Sequence, residues 1–201
     1  MRVIAGKYGS RRIASGRGIE LRPTSDRLRE TLFDILQNRV AGSFFVDGYA
    51  GTGAVGIEAA SRGARRVVFL EKHRPTAALI RKNLESLRIC EGVEVIAGDV
   101  VRGLAELAGR GVAADIMFFD PPYAETEEYT RVLEALEGSA LVGRETLLIF
   151  ERARKMRMAA GRGRLVRTRT VTQGDAVLEF FKTSWDEVPH DFSKQLRSGH
   201  P

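Results

Sequence analysis

A carboxylate, two prolines and an aromatic ring follow one short apolar segment of this sequence. The segment Ile116-Met117-Phe118-Phe119 predicts a buried strand, and Asp120-Pro121-Pro122-Tyr123 comes directly after it. Prolines fix φ and lack an N–H group, so they predict a stiff turn whose carbonyl oxygens can accept hydrogen bonds. A carboxylate, a proline carbonyl and a stacking ring suit a planar base with an exocyclic amine. The motif predicts methyl transfer to an amino nitrogen, although a turn capped by Asp120 explains the same residues.

A glycine-rich turn lies upstream, between an apolar strand at residues 44–46 and a small-residue helix at residues 54–61. Gly51, Gly53 and Gly56 match G-x-G-x-x-G, which lets the backbone approach a ligand closely at the start of a helix. Glu71 follows the next apolar run, at the spacing expected of an acid that binds ribose hydroxyls. These features fit NAD as well as other nucleoside cofactors.

Asp47 argues against a dinucleotide. It stands between the strand and the glycines, where its carboxylate would repel a pyrophosphate. S-adenosylmethionine carries an ammonium and a sulfonium and no phosphate, so the same carboxylate would attract it. The sequence therefore favours S-adenosylmethionine at the glycine-rich turn.

A third strand, at residues 93–96, is followed by Asp99. Asp99 precedes a predicted helix at residues 101–107, so capping of that helix explains it as well as adenine binding does. Ligands of open parallel sheets bind beyond the carboxyl ends of the strands. Four successive strand ends carry an acid here, and this order favours a common site: Asp47, Glu71, Asp99 and Asp120.

These motifs resemble, in order, those of class I S-adenosylmethionine-dependent methyltransferases. Two N-terminal blocks, residues 1–8 and 22–33, closely resemble the small-subunit (16S) ribosomal RNA guanine-N2 methyltransferases of the RsmD type. The resemblance extends over roughly residues 1–182. It implies a methyltransferase that modifies the N2 amine of a guanine in ribosomal RNA, as naked RNA or as a small-subunit assembly particle.

The resemblance also implies roles for individual residues. Asp47, Gly51 and Gly53 would hold the methionine part of the cofactor, Glu71 the ribose and Asp99 the adenine amine. Asp120, Pro121, Pro122 and Tyr123 would hold the guanine and form the catalytic motif. The full set of residues implied to contact S-adenosylmethionine is Asp47, Gly48, Tyr49, Ala50, Gly51, Thr52, Gly53, Glu71, Lys72, Asp99, Val100 and Asp120.

The chain departs from the family pattern in its first loop and after Glu71. Gly48-Tyr49 stands where the family usually has Leu-Phe, and a glycine there predicts a looser loop. His73 replaces a usual acid, and no catalytic role is expected for it.

The fold class follows from alternating strand and helix patterns, which predict an α/β protein with a parallel sheet. The resemblance implies a Rossmann-like class I methyltransferase with a mostly parallel seven-stranded sheet and helices on both faces. Residues 164–172 and 176–182 alternate as strands and predict an antiparallel hairpin at the C-terminal edge of the sheet. The predicted organisation is a basic N-terminal β-hairpin extension at residues 1–22, the methyltransferase domain at 23–185, and a tail at 186–201 that can be disordered.

Positive charge is concentrated in the first thirty positions. Residues predicted to contact RNA phosphates are Arg2, Lys7, Arg11, Arg12, Arg22, Arg27 and Arg29. A merely solvated basic arm explains the same charges. A second basic stretch, at residues 152–169, is either an RNA flank or an edge strand kept soluble by charge.

Composition narrows the possible partners and location. The 201-residue chain has a formal net charge of +6, which favours a polyanionic partner. Its single cysteine, Cys90, predicts neither disulfides nor a metal site, and the N-terminus shows neither a signal peptide nor a membrane span. We therefore expect a cytoplasmic monomer with no metal and no membrane partner.

Other functions remain open at the level of sequence. An adenine-N6 methyltransferase acting on DNA or RNA would use the same Asp-Pro-Pro-Tyr motif. A non-catalytic RNA-binding or ribosome-assembly protein would keep the basic arm, but the intact motifs argue against it. An NAD-dependent oxidoreductase ranks last, because no acid–base pair for hydride transfer is evident and Asp47 is misplaced for a dinucleotide.

Overall fold

The structure, a computed structural model, describes residues 1–15 and 25–184. The predicted tail at residues 186–201 lies outside the described residues, as do residues 16–22 of the predicted N-terminal extension. The helices are α1 (Asp26–Leu36), a 3-10 turn (Gln37–Arg39), α2 (Ala54–Ser61), α3 (Arg74–Leu87), α4 (Val100–Ala108) and α5 (Glu127–Leu136). The strands are β1 (Phe44–Gly48), β2 (Arg66–Glu71), β3 (Val93–Ala97), β4 (Ala114–Phe119), β5 (Val142–Ala153), β6 (Gly161–Arg162), β7 (Leu165–Gln173) and β8 (Ala176–Thr183).

All eight strands form one sheet in the order β3-β2-β1-β4-β5-β8-β7-β6. The first five are parallel neighbours, and β8, β7 and β6 continue the sheet in antiparallel pairs. The Rossmann-like α/β prediction is confirmed, and so is the C-terminal hairpin. Beyond the seven implied strands, the two-residue β6 adds a short edge, which pairs only through Gly161 and Arg162.

The two faces of the sheet are buried under different helices. Alternate residues of β1 point to opposite faces, so Phe45 joins a core with α1, α2 and α3. Phe44 and Val46 join the second core with α4 and α5. Burial on both faces explains why the inner strands β1, β2 and β4 are mostly apolar runs, whereas the edge strand β3 is only half-buried and carries Glu94. This three-layer arrangement fixes the strand ends at which the acids lie.

Helix starts follow local capping chemistry. The Ser25 hydroxyl accepts a hydrogen bond from the Leu28 N–H at 3.1 Å and caps α1. Asp99 likewise caps α4, accepting from the Arg102 N–H at 3.1 Å. Capping and ligand binding are therefore both open to Asp99, because a carboxylate has several acceptor sites.

Arginines of the second basic stretch form internal ion pairs. Glu179 of β8 is fully buried and pairs with Arg152 and, at 3.2 Å, with Arg167. Arg162 pairs with Glu137 at 2.9 Å. These contacts give Arg152, Arg162 and Arg167 acidic partners within the protein, while the two interpretations of the basic stretch, RNA flank or edge strand kept soluble by charge, both stay predictions.

Within the described residues, no helix is long and apolar enough to cross a membrane. The same part of the chain contains no cluster of histidine, cysteine and acidic side chains suited to a metal ion.

Candidate functional site

A cavity of about 830 Å³ lies at the carboxyl ends of the parallel strands. Its volume is within the range of sites for small molecules and cofactors. All four residues of the predicted catalytic motif line it. It is also lined by ten of the twelve residues implied to contact the cofactor: Asp47, Tyr49, Ala50, Gly51, Thr52, Glu71, Lys72, Asp99, Val100 and Asp120.

Asp47 is the most deeply buried acid of this cavity, with 2% of its surface exposed. Its Oδ2 accepts a hydrogen bond from the Gly56 N–H at 2.8 Å, which ties β1 to the first turn of α2. Burial raises the pKa of Asp47 to about 8, and the nearby charge of Glu71 adds to the effect while the Gly56 hydrogen bond opposes it. A cationic ligand would lower that pKa and restore the charge.

The glycine-rich turn owes its shape to two glycines that do not line the cavity. Gly53 has φ +79°, and a Cβ atom there would lie 3.1 Å from Ile80. Gly48 packs under Phe119, and a Cβ atom would come within 2.4 Å of that ring. Gly48 and Gly53 therefore set the path of the backbone, and their predicted contacts with the cofactor stay predictions.

The prediction of a looser first loop is wrong. Gly48 is required by its close contact with Phe119, and the next residue, Tyr49, takes a left-handed conformation with φ +59°. The Tyr49 hydroxyl donates a hydrogen bond to Glu128 of α5 at 2.5 Å. Burial, with the Glu128 bond, raises the pKa of Tyr49 above its ordinary value. The Gly48-Tyr49 pair thus links the loop to α5.

Glu71 is fixed by backbone donors on both sides. Its Oε2 accepts from the Gly51 N–H at 2.9 Å, and its Oε1 accepts from the His73 N–H at 2.8 Å. Each carboxylate oxygen has further lone pairs, so the group can also accept from ribose hydroxyls. Its fixed orientation beside the glycine turn fits the predicted ribose site.

Asp99 follows β3, which is three strands away from β4 in the sheet, whereas the catalytic motif follows β4. Partial burial opposes ionisation, but hydrogen bonds from the Arg102 backbone and from Arg131 hold the pKa of Asp99 below its ordinary value. The distance from Arg131 Nη2 to Asp99 Oδ2 is 3.3 Å, and both side chains are partly exposed. A charged acceptor is therefore available where the adenine amine is predicted.

The catalytic motif forms a tight turn after β4. The Asp120 N–H reaches the Gly48 carbonyl at 3.4 Å, and the Glu125 N–H donates to the Pro122 carbonyl at 2.8 Å. The second bond corrects the expectation that both proline carbonyls stay open, because that of Pro122 already accepts inside the turn. The Pro121 carbonyl is therefore the one to which we assign the contact with a substrate amine.

Three further acids of the cavity were missed by sequence reasoning: Glu125, which belongs to the turn after the catalytic motif, Glu128 and Glu151. Glu151 follows the apolar run of β5 as the other acids follow theirs, so the same strand-end signal could have found it. Glu128 comes from α5 and has no comparable signal, since only the fold brings it to Tyr49. Five neighbouring strands therefore carry an acid at or near the end of their apolar run: Asp99, Glu71, Asp47, Asp120 and Glu151.

Residues 1–15 form a basic arm that packs on α2 and α3. Within the described part of the arm, two short segments pair antiparallel through one bridge, Arg2 with Arg12, and through hydrogen bonds from the Val3 N–H to the Arg11 carbonyl at 2.9 Å and from the Ile13 N–H to the Met1 carbonyl at 3.1 Å. Buried Glu58 of α2 accepts from the Ile4 N–H at 2.7 Å and the Ala5 N–H at 3.0 Å. The arm is thus bound to the domain through backbone contacts.

Asn83 of α3 connects the arm to the glycine-rich turn. Its Oδ1 accepts from the Ala14 N–H at 3.0 Å, and its Nδ2 donates to the Thr52 carbonyl at 3.0 Å. Thr52 lines the cavity, so the arm lies directly beside the candidate site.

The predicted RNA contacts have different outcomes. Arg2, Lys7, Arg11, Arg12 and Arg27 are exposed, although Arg11 also donates to the Leu87 carbonyl at 3.0 Å. Arg22 lies outside the described residues.

The prediction for Arg29 is wrong, because its side chain is fully buried. Arg29 occupies the inward face of α1 with Phe33 and Leu36, and its Nη2 donates to the Arg2 carbonyl at 2.7 Å and to Asp26 at 2.9 Å. Burial lowers the pKa of Arg29, and the charge of Asp26 opposes that shift. Arg29 therefore holds the arm in place and is not available to an RNA phosphate.

Comparisons with known proteins agree with this geometry. A family model described as conserved hypothetical protein 95 matches residues 1–182. The chain is 34% identical to ribosomal RNA small subunit methyltransferase D of Escherichia coli K12, over 75% of this chain and 74% of that protein. The solved structure of a hypothetical protein of Thermus thermophilus is 29% identical, covers 91% of this chain and 99% of its own, and has a TM-score of 0.75.

A more distant structure shares the fold alone. It is an RNA methyltransferase of Salinibacter ruber in complex with S-adenosyl-L-homocysteine, 18% identical, with a TM-score of 0.62 over 84% of this chain and 97% of its own. Given the match to residues 1–182 and the identity to the Escherichia coli protein, the chain belongs to the conserved hypothetical protein 95 family, the RsmD-type family that its motifs resemble.

Proposed function

We propose that this protein transfers a methyl group from S-adenosylmethionine to the exocyclic N2 amine of a guanine in small-subunit (16S) ribosomal RNA. Relatives of the chain, among them the Escherichia coli protein, are named ribosomal RNA small subunit methyltransferases, so the further step proposed here is the identity of the base and atom. The observation that carries the proposal is that the Asp120-to-Tyr123 motif lines the same cavity as Asp47 and Glu71.

The residues of the cavity fit S-adenosylmethionine at three points. Buried Asp47 suits the ammonium, the backbone-fixed carboxylate of Glu71 suits the ribose hydroxyls, and Asp99 suits the adenine amine. The row of acids would repel a pyrophosphate, so the same set disfavours a dinucleotide. When bound, S-adenosylmethionine supplies an electrophilic methyl group on a sulfonium centre.

The catalytic motif would act chiefly by positioning. The lone pair of a guanine amine is delocalised into the ring, so it must be oriented toward the methyl group. Asp120 and the Pro121 carbonyl would accept hydrogen bonds from the two N–H groups, while the ring of Tyr123 would stack on the base, a contact of about 1–3 kcal/mol. Alignment of two reactants provides effective molarities of about 10⁵–10⁸ M. Methyl transfer accelerated in this way does not require a strong base. The amine proton becomes acidic only after methylation, when Asp120 can accept it.

The first experiment is a transfer assay with labelled S-adenosylmethionine. Small-subunit particles, naked ribosomal RNA and DNA are each offered to the protein, and the products are digested to nucleosides. We expect N2-methylguanosine in the ribosomal RNA, and the preferred form of the substrate would indicate the stage of assembly at which methylation occurs. N6-methyladenine would contradict the proposal and favour the adenine alternative, and bound cofactor without transfer to any substrate would favour a binding protein.

The basic arm would contact the RNA backbone beside the site. Arg2 and Arg12 of the arm line an open groove together with Lys82 of α3. Positive charge on both walls suits a polyanion. A ribosomal RNA substrate also implies a cytoplasmic location, and the expectation of a monomer stays a prediction.

Removing two arm charges should flatten the salt dependence of RNA binding. Each phosphate contact on a single strand contributes a log–log slope of about −0.7, so the double variant Lys7→Ala/Arg12→Ala should reduce the slope by about 1.4. The measurement is RNA affinity by fluorescence anisotropy across a salt series. Arg144→Ala is the control, because this exposed arginine lies near the amino end of β5, whereas the cavity lies at the carboxyl ends of the parallel strands. An unchanged slope in the double variant would assign the RNA contacts to another surface.

A further inference from the structure

Glu151 lies beside the catalytic motif and has no role in the mechanism described above. It is buried, with 4% of its surface exposed, and it lines the same cavity as Asp120. Phe119 of β4 pairs with Phe150 of β5, so Asp120, which follows the end of β4, and Glu151, which lies within β5, are the next residues on adjacent strands. The sheet thus brings a second carboxylate to the place where the target base is expected.

Two tyrosines fix the position of Glu151. The Tyr123 hydroxyl donates to its Oε1 at 3.2 Å, and the Tyr129 hydroxyl donates to its backbone carbonyl at 3.1 Å. Tyr123 is also the ring expected to stack on the base. Glu151 is therefore positioned by the same side chain that would set the plane of the base.

We propose that Glu151 selects guanine over adenine by accepting a hydrogen bond from the N1–H of the target base. This inference rests on the proposed function, in which Asp120 holds the neighbouring amine. The Watson–Crick edge of guanine presents two adjacent donors, N1–H and the N2 amine, and enzymes that extrude a base read that edge by hydrogen bonds. Two carboxylates in corresponding positions of adjacent strands, those of Asp120 and Glu151, complement these two donors.

Adenine does not match this arrangement. Beside its amine stands an unprotonated N1, an acceptor, so its lone pair would face the Glu151 carboxylate. A site built to accept a hydrogen bond rejects an analogue that lacks the donor, because its buried polar group is left unpaired. The same logic applies to any base that carries an amine next to a bare ring nitrogen.

2-Aminopurine provides the direct probe, because it keeps the amine at C2 but has an acceptor at N1. Ribosomal RNA is assembled by ligation with a synthetic segment that carries guanine or 2-aminopurine at the nucleotide methylated in the transfer assay. The measured quantity is the ratio of kcat/KM for the two RNAs. For the wild-type protein we expect guanine to be preferred by about 10–100-fold.

Glu151→Gln should narrow this ratio by about tenfold, because an amide can donate to the N1 of 2-aminopurine as well as accept from guanine. Glu128→Gln is the matched control, since Glu128 lines the same cavity but contacts Tyr49, and its ratio should equal that of the wild type. A ratio is compared within one preparation, so partial loss of folded protein does not alter it. Should Glu151→Gln not fold, Tyr123→Phe keeps the ring, removes the hydroxyl that holds Glu151, and should narrow the ratio too.

Equal methylation of both RNAs by the wild-type protein would overturn the inference without any variant. An unchanged ratio in Glu151→Gln would overturn it as well, since the preference would then arise at another atom, such as O6 of guanine. Failure of the proposed function can be distinguished from failure of this inference. It would appear in the transfer assay, as the absence of N2-methylguanosine from natural ribosomal RNA.

Discussion

Replacing Asp120 by alanine is expected to reduce methyl transfer by about 10²–10³-fold, the usual cost of removing one well-placed hydrogen-bonding group from a reacting centre. The affinity for S-adenosylmethionine should change by about twofold or less, since the lost interaction is made with the base. The backbone contact of Asp120 with the Gly48 carbonyl survives the change, and Asp47 and Glu71 are untouched. The measurements are single-turnover transfer to ribosomal RNA and calorimetric titration of the cofactor.

Glu127→Ala is the control for Asp120→Ala. Glu127 is an exposed acid in the first turn of α5 that does not line the cavity, so its removal should leave turnover unchanged. Loss of both turnover and cofactor affinity in Asp120→Ala would contradict the division of roles between the strand ends. Full turnover in Asp120→Ala would instead mean that other residues of the cavity bind the amine.

The strand ends explain why much of the site could be predicted from sequence. Each parallel strand is an apolar run, and each run ends at an acid because polar side chains become tolerable where the sheet meets the cavity. This local signal located Asp47, Glu71, Asp99 and Asp120, which the structure brings together. The signal was equally present at Glu151, which directly follows the apolar run at residues 147–150.

Side chains whose environment is set by distant parts of the chain could not be predicted in this way. Arg29 belongs to a basic stretch in sequence, yet its helix turns it inward to the Arg2 carbonyl, 27 positions away. Asn83 joins the arm to the glycine turn through partners 69 and 31 positions away. Helical and strand periodicities report only neighbours within a few residues, so these tertiary contacts leave no trace in them.

Packing also explained a departure from the family pattern that sequence alone misjudged. Glycine at position 48 predicted a loose loop by its backbone freedom, but the ring of Phe119 fills the space that a Cβ atom would need. The conformational effect of a glycine thus depends on what packs against it. Here the contact places Tyr49, which the Glu128 carboxylate then holds.

Asp47→Asn is expected to weaken cofactor binding and to stabilise the free protein. Removing one partner of a buried, hydrogen-bonded charge pair typically costs about 2–5 kcal/mol, so affinity for S-adenosylmethionine should fall by about 10²-fold. The stability gain has a separate cause. Because burial raises the pKa of Asp47 to about 8, ionising this carboxyl in the folded state costs free energy that an uncharged asparagine avoids.

The stability gain should depend on pH with a definite sign. The folded protein keeps the Asp47 proton up to a pH of about 8, whereas the unfolded chain loses it near the ordinary value of 3.8. The unfolding free energy of the wild type therefore falls as pH rises between these values, by up to about 1.4 kcal/mol per pH unit for one group. Asp47→Asn lacks this group, so its advantage should be small at pH values near 4 and largest near 8.

Thermal and denaturant unfolding of the cofactor-free protein across this pH range measures the difference. Asp34→Asn, an exposed position on α1, is the matched control and should show no comparable dependence on pH. Weakened cofactor binding without a pH-dependent gain would mean that Asp47 is already ionised in the free protein, with the Gly56 N–H sufficient to hold its charge. A gain in stability with unchanged cofactor affinity would mean that Asp47 does not bind the ammonium group of the cofactor. Only the two effects together show that this acid is kept at a cost in stability because the cofactor requires it.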